Sequence, residues 1–290
     1  ERAHVTFVAM GRYGGRECSY ASDADVIALH EPVGGASDSE AAASATAIVN
    51  RVKKLLGSAT SQLGIVVDLD LRPEGKNGPM SRTIASHEEY TQRWASTWER
   101  QAAVRARPIG SSDLDERARA LFESMAYREV SESEVRDIRL LKARMENERL
   151  PRGSEPARHV KLGPGGLSDV EWTIQLIQMR HGARLPALRT PSTTQAIAVA
   201  RDAGLLAAPD AEILLNAWDL ATRIRAGNTL ATGRMNGVKL DVVPRDSAEL
   251  SALAAILGYG SGGLTALEED WLRAARQARN VMERAFWEQQ

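Results

Sequence analysis

The chain has 290 residues, 43% of them hydrophobic and 26% charged, with a formal net charge of −1 at pH 7. That length suits one large domain or two ordinary ones, and so balanced a charge supplies no field to draw in nucleic acid or an acidic membrane surface. The single cysteine, Cys18, excludes an internal disulfide and fits a reducing cytosol.

No apolar run approaches the ~18–20 residues that a membrane-crossing helix needs. The chain starts at Glu1 without an initiator methionine or leader and reads as a piece of a longer protein. Residues 5–10 and 25–29 read as buried strands, with a glycine-rich turn, Gly11-Arg12-Tyr13-Gly14-Gly15-Arg16, after the first. An alanine-rich helix follows over 39–63, with Ile48, Val52, Leu55 and Leu56 at helical spacing and Gly64 ending it. Residues 65–72 alternate as a strand. Ile65, Val67, Leu69 and Leu71 share one face; Val66, Asp68, Asp70 and Arg72 share the other. Residues 73–79 are a turn, and Ser86 with Glu89 predicts a capping box for a helix running to about residue 105. Beyond 110 the chain reads as helix after helix: 113–126, 131–149, 168–182, 192–204, 208–227, 246–257 and 264–288. A linker-like stretch lies at 149–166, and a second capping box, Ser168 with Glu171, follows it. Trp94, Trp98 and Trp172 fall among apolar residues at helical spacing and read as core; Cys18 reads as buried filler.

The chemistry concentrates in one place. Asp23 and Asp25 stand at i and i+2 where the second strand begins, so both carboxylates point to one face, close to glycine backbone that can approach phosphates. Two like charges so near raise each other's pKa, and a divalent cation is the usual remedy. Asp68, on the polar face of the third strand, supplies a third acid. Asp70 shares that face, so spacing alone does not choose between them, and a salt bridge of Asp68 to Arg72 is the competing explanation. Three carboxylates around Mg²⁺ suit nucleotidyl transfer. The Gly11–Gly15 backbone, with Arg12 and Arg16, would then receive the β- and γ-phosphates. The glycine segment is neither a Walker A motif nor a dinucleotide-binding turn. His4, His30, His87, His159 and His181 are scattered without zinc-ligand spacing.

Residues 11–25 resemble the signature of the DNA polymerase β-like nucleotidyltransferase superfamily, with Arg12 where most members have serine or glycine. Four ordered blocks narrow the likeness. They are Gly11 to Asp25, the Val67-Asp68-Leu69-Asp70-Leu71-Arg72-Pro73-Glu74-Gly75 block, the Thr97-Trp98-Glu99-Arg100-Gln101-Ala102 block leading to Arg105 and Arg107, and the Lys161-Leu162-Gly163-Pro164-Gly165-Gly166 block leading to Trp172. Together they resemble the bacterial glutamine synthetase adenylyltransferase/adenylyl-removing family, over nearly the whole chain.

The resemblance implies an α+β fold, with a catalytic domain of mixed sheet and helices over residues 1–110 and an all-α helical bundle over 111–290. It implies Asp23, Asp25 and Asp68 as catalytic metal ligands for Mg²⁺ (two ions, with Mn²⁺ possible), and ATP as substrate. Gly11, Arg12, Gly14, Gly15, Arg16, Ser22 and Arg72 would bind the nucleotide, with Glu99, Arg105, Lys161, Asp169 and Glu171 as candidates to line the cleft. The implied reaction is adenylyl transfer to a tyrosine of glutamine synthetase in a cytoplasmic enzyme that controls nitrogen assimilation, with a PII-type signalling protein as regulator of the full-length enzyme. The wording of residues 149–153 and of the Thr97 block resembles the carboxy-terminal, adenylylating copy of actinobacterial members. The phosphorolytic removing copy, a uridylyltransferase-like relative and a non-catalytic nucleotide-binding module are the alternatives.

Overall fold

The computed structural model describes residues 2–20, 22–57, 64–235, 237–260 and 263–288. The chain divides into two compact units. One comprises residues 1–18, 22–130 and 179–192; the other comprises 19–21, 131–178 and 193–290.

The first unit is built on a five-stranded mixed sheet. Strand β1 (Ala3–Ala9) leads into a single helical turn, α1 (Gly11–Gly14), and β2 (Ala24–Pro32) returns antiparallel to β1. Helix α2 (Asp38–Gly57) precedes the two-residue β3 (Val67–Asp68), which is followed by β4 (Ser81–Thr83), α3 (Ile84–Arg93), α4 (Thr97–Ala103), β5 (Arg107–Pro108) and α5 (Asp113–Ala126). The sheet order is β3-β2-β1-β5. Both β3 and β4 run parallel to β2, and β5 is antiparallel to β1. Strand β2 therefore pairs with three others, and with α2, α3 and α5 also packed against it Val26, Ile27, Ala28 and Leu29 form an unbroken buried run rather than alternating. Val26, Ala28, Val67 and Leu69 close on Val49 of α2, and Ala41 and Ala45 of the same helix meet Ala3. Each fully buried Val or Leu here contributes about 1.5–3 kcal/mol. At the other end of the sheet, Thr6 Oγ1 donates to Asp115, whose carboxylate also accepts from the Ser112 amide at 2.8 Å and so completes the cap of α5.

Several local expectations change. The glycine segment, expected as a turn, is one turn of helix. The long strand at 65–72 shortens to two residues. Asp68 Oδ1 accepts from the Asp70 amide at 2.7 Å, and the Arg72 amide bonds the Leu69 carbonyl at 3.1 Å, so the chain turns out of the sheet. The face of α2 that packs is Ala41–Ala45–Val49, because small side chains let the helix approach the sheet closely; Ile48, Leu55 and Leu56 are exposed. Residues 58–63, the expected end of that helix, lie outside the described residues. The helix expected from 86 to 105 is two helices. Thr83 caps α3 by accepting from the Ser86 amide, and Ser96 with Glu99 forms the capping box of α4. Trp94 falls at the break between them and is 73% exposed, and Trp98 is also exposed, so neither is core.

His87 is buried in α3 with its ring edge-on to Phe122, and its Nδ1 has no hydrogen-bond partner. Burial, reinforced by the positive charge of Arg82, pushes its pKa down to about 4. A base with a depressed folded pKa leaves the unfolded chain holding the extra proton. Its stabilisation is full above the ordinary value of 6.5 and is lost as pH falls toward about 4, a swing of about 3 kcal/mol. Urea unfolding at stepped pH should show that decline, and His87→Leu should flatten it. An unchanged slope in the variant would assign the decline to other groups.

The second unit is helical. It holds α6 (Glu132–Glu148), most of α7 (Leu167–His181), α8 (Thr193–Asp202), α9 (Ala208–Thr232), α10 (Ser247–Ile256) and α11 (Gly263–Met282), the last running on as a wider π-helical turn, Glu283–Glu288. β-Pairing among its described residues is confined to one isolated bridge, His159 with Val242. The linker-like stretch is pinned into this unit, because Arg158 donates to the carbonyls of Val243 and Pro244. Ser168 lies inside α7 rather than capping it. Among the described residues no helix is long and apolar enough to cross a membrane.

Candidate metal and nucleotide site

The sheet register builds the site. Asp25 is the second residue of β2 and Asp68 the second of β3, and the parallel pairing sets them directly opposite each other. Adjacent strands lie ~4.8 Å apart, and paired side chains emerge on the same face. Asp23 precedes β2 by one residue, so the i, i+2 relation adds a third carboxylate. One ligand atom from each of Asp23, Asp25 and Asp68 lies within 4.8 Å of the other two; Asp23 is exposed and the other two are half-buried. Asp70, which spacing left equal to Asp68, turns away toward Lys76 (3.3 Å) and Arg72 (3.8 Å). A trio of hard carboxylate oxygens at this spacing fits a magnesium-like cation.

The glycine segment abuts this trio. Gly11 has φ +51°, and a methyl group added there would come 2.7 Å from Asp25 Oδ2. The Met10 amide donates to the Asp25 carbonyl at 2.8 Å, fastening the turn to the start of β2. Gly14 and Gly15 are buried, Arg16 is exposed at φ 59°, and Arg12 Nε donates to the Glu17 carbonyl at 2.9 Å. Ser22 is half-buried and hydrogen-bonds Cys18. Cys18 is exposed, not filler. Partial enclosure of its thiol, with Asp25 and Asp23 close by, outweighs the pull of Arg12 and raises its pKa. Arg72 is spent on its own turn, donating to the carbonyls of Leu69 (2.8 Å) and Gly78 (3.2 Å).

The other candidates scatter. Glu99 caps α4 and accepts from the Tyr90 hydroxyl at 2.9 Å. Arg105 is buried behind the glycine turn, its Nε donating to the Gly11 carbonyl at 3.0 Å and its Nη2 to Glu17 at 2.6 Å. Asp169 is buried in the helical unit against Lys142 at 2.6 Å. Lys161 and Glu171 line a cavity of about 520 Å³ in that unit, beside Trp172, which is half-buried and edge-on to Phe286. The site reading passed over Glu17 and Arg107. Arg107 Nε donates to the Gly14 carbonyl at 2.8 Å and its Nη2 to the Tyr13 carbonyl at 3.0 Å. Burial and the nearby charge of Arg16 hold the Arg107 pKa below its ordinary value.

Comparison with known proteins now bears on this geometry. Residues 1–122 match the family model described as glutamate-ammonia ligase adenylyltransferase, and residues 139–286 match one described as GlnD PII-uridylyltransferase. The chain is 46% identical over 283 residues to a bifunctional glutamine synthetase adenylyltransferase/adenylyl-removing enzyme of Streptomyces coelicolor, which spans 97% of this chain. By sequence, residues 1–122 fall in the glutamate-ammonia ligase adenylyltransferase family, and nearly the whole chain is similar to proteins that carry that name. Proteins of the same name from Bifidobacterium longum subsp. infantis (46% identity, 99% of this chain) and Mycolicibacterium smegmatis (40%, 98%) agree. The match takes in only 27–28% of each relative, so the chain spans about a quarter of the length of the proteins it resembles. The mixed sheet with its helices, followed by a helical unit, is the nucleotidyltransferase architecture that the resemblance implied.

Proposed function

We propose that this chain is an adenylyltransferase module that moves AMP from ATP to a tyrosine hydroxyl of glutamine synthetase, with release of pyrophosphate. The observation that carries the reading is the convergence of Asp23, Asp25 and Asp68 within 4.8 Å beside the glycine turn. These three carboxylates would hold Mg²⁺, which when bound supplies charge neutralisation at the phosphates and lowers the pKa of a nearby hydroxyl. The glycine backbone lets the triphosphate come close to the acids, and Arg16, exposed beside it, is placed to meet phosphate charge. A tyrosine hydroxyl ordinarily ionises near pH 10, so its proton must pass to a carboxylate or to solvent during attack. Asp25 and Asp68, half-buried in the trio, would be the carboxylates for that exchange.

Two sequence features favour adenylylation over removal: the wording of the Thr97–Ala102 block and of residues 149–153. The relatives' shared name supports glutamine synthetase as acceptor. A cytoplasmic location accords with the single cysteine. A PII-type protein as regulator of the longer enzyme is part of the same proposal, and the match of the helical half to a PII-uridylyltransferase family supports it. The deciding experiment is mass spectrometry of glutamine synthetase incubated with this chain, ATP and Mg²⁺. Gain of AMP on a tyrosine is expected. Loss of AMP from pre-modified glutamine synthetase in the presence of phosphate would reassign the chain to the removing reaction, and absence of both would refute the proposal.

A further inference from the structure

A four-residue helical turn cannot hold itself: it closes too few hydrogen bonds to offset its own nucleation. Two arginines that follow α4 supply what α1 lacks. The Arg105 guanidinium, 4% exposed, donates to the Gly11 carbonyl at 3.0 Å and to Glu17 Oε2 at 2.6 Å. Arg107 donates to the carbonyls of Gly14 and Tyr13 at 2.8 and 3.0 Å, and its guanidinium lies 5.8 Å from the centre of the Tyr13 ring. Three carbonyls of one turn thus receive charge-assisted bonds from two planar forks reaching across more than 90 residues of sequence. Glu17 in turn accepts from Ser192 Oγ at 3.3 Å, which fixes the far side of the fork.

The fit is tight on both sides. A methyl group on Gly14 would collide with the Arg105 carbonyl oxygen, and one on Gly15 would come 2.6 Å from Arg105 Nη2. A methyl group on Gly11 would in turn come 2.7 Å from Asp25 Oδ2. The turn therefore has no slack against either Arg105 or the Asp25 carboxylate of the acidic trio.

We infer that Arg105 and Arg107 are positioning residues that press the glycine turn against Asp25 and so set where its carboxylate stands relative to Asp23 and Asp68. The inference rests on the reading of that trio as the metal site. Lysine keeps the charge at either position but offers no fork, so it can serve one carbonyl and not two partners at once. Arg105→Lys and Arg107→Lys should each weaken Mn²⁺ affinity about 10-fold. Each should also lower kcat at saturating ATP by about 10- to 100-fold, while KM for ATP changes less; displacement of a reacting group by ~1 Å is enough for losses of this size. Arg117→Lys, which keeps a surface pair with Glu31, is the matched control and should change neither.

Mn²⁺ titration in the absence of ATP separates this idea from the proposal it rests on. If the unmodified chain neither binds Mn²⁺ at Asp25 nor transfers AMP, the metal-site reading fails and the clamp with it. If the unmodified chain does both, and the folded Arg105→Lys and Arg107→Lys proteins stay within twofold of it, the two arginines are plain structural struts and only the clamp is refuted. Should Arg105→Lys not fold, Arg107→Lys and Glu17→Gln are judged by the same measure.

Discussion

Asp25→Asn is expected to lower the rate of adenylyl transfer by on the order of 10³-fold while leaving the metal-free protein as stable as before, or more stable. The rate loss follows from removing one of three charges that would hold a metal at the reacting phosphates, where several kcal/mol of charge stabilisation are at stake. The stability effect has the opposite sign for a local reason. Asp25 and Asp68 are opposite each other in parallel register, and Asp23 lies within 4.8 Å of both. Each pair of like charges at that spacing costs on the order of 1 kcal/mol in a solvated setting. Neutralising Asp25 relieves two of the three repulsions and keeps the shape of the side chain. Thermal melts with and without Mn²⁺ should show the metal raising the midpoint of the parent protein and not that of the variant. Transfer within tenfold of the parent would remove Asp25 from the site. A metal-free midpoint well below the parent would mean that the carboxylate has a structural partner that outweighs the repulsion.

How much of this could be read in the sequence depends on the range of the interaction. The pairing of Asp23 with Asp25 was legible because two-residue periodicity is local. The choice of Asp68 over Asp70 was not, because it is made by the parallel register of β3 on β2 and by the turn that Asp68 itself starts. The resemblance to a known family pointed to Asp68; periodicity had placed both acids on one face. Helix limits from 113 onward fell close to expectation, since serine, aspartate and apolar spacing mark them locally. The buried side of α2 was misjudged because leucine and isoleucine carry more hydrophobic signal than alanine, while close approach to the sheet selects alanine. Trp94 misled for a similar reason: it lies where α3 ends, and a break between helices is invisible to a periodic pattern that continues through it. Arg105 and Arg107 left no local mark as a clamp, because their partners are a glycine turn at the other end of the unit's sequence.

Asp169 makes the opposite case from Asp25, although both are aspartates that sequence reasoning placed near the chemistry. Its side chain is 1% exposed and its partners surround it. Lys142 Nζ, also 1% exposed, lies 2.6 Å from Oδ1; the Gly165 amide donates to Oδ2 at 2.7 Å; and Arg279 reaches Oδ2 at 3.1 Å. Glu146 completes the group, 3.0 Å from Lys142 and 2.7 Å from Arg279. Burial pushes the Glu146 carboxyl up, but the bonds from Arg279 and Lys142 outweigh it and leave its pKa below the usual range. The network ties α6, α7 and α11 at one point. Asp169→Ala leaves the Lys142 ammonium in the interior with Glu146 as its remaining acidic partner in this group. Breaking a buried pair from one side typically costs 3–5 kcal/mol, because the surviving charge stays desolvated. For a chain of this size that corresponds to a fall of roughly 10 °C in melting midpoint. Mn²⁺ affinity measured below the transition should be unchanged, since Asp169 belongs to the helical unit and not to the acidic trio. Lys142→Met in the Asp169→Ala background should recover part of the loss by removing the stranded charge. A single-variant loss under 1 kcal/mol would mean that water reaches Lys142, and loss of Mn²⁺ binding in the folded variant would tie Asp169 to the metal site, beyond the cleft-lining role expected of it.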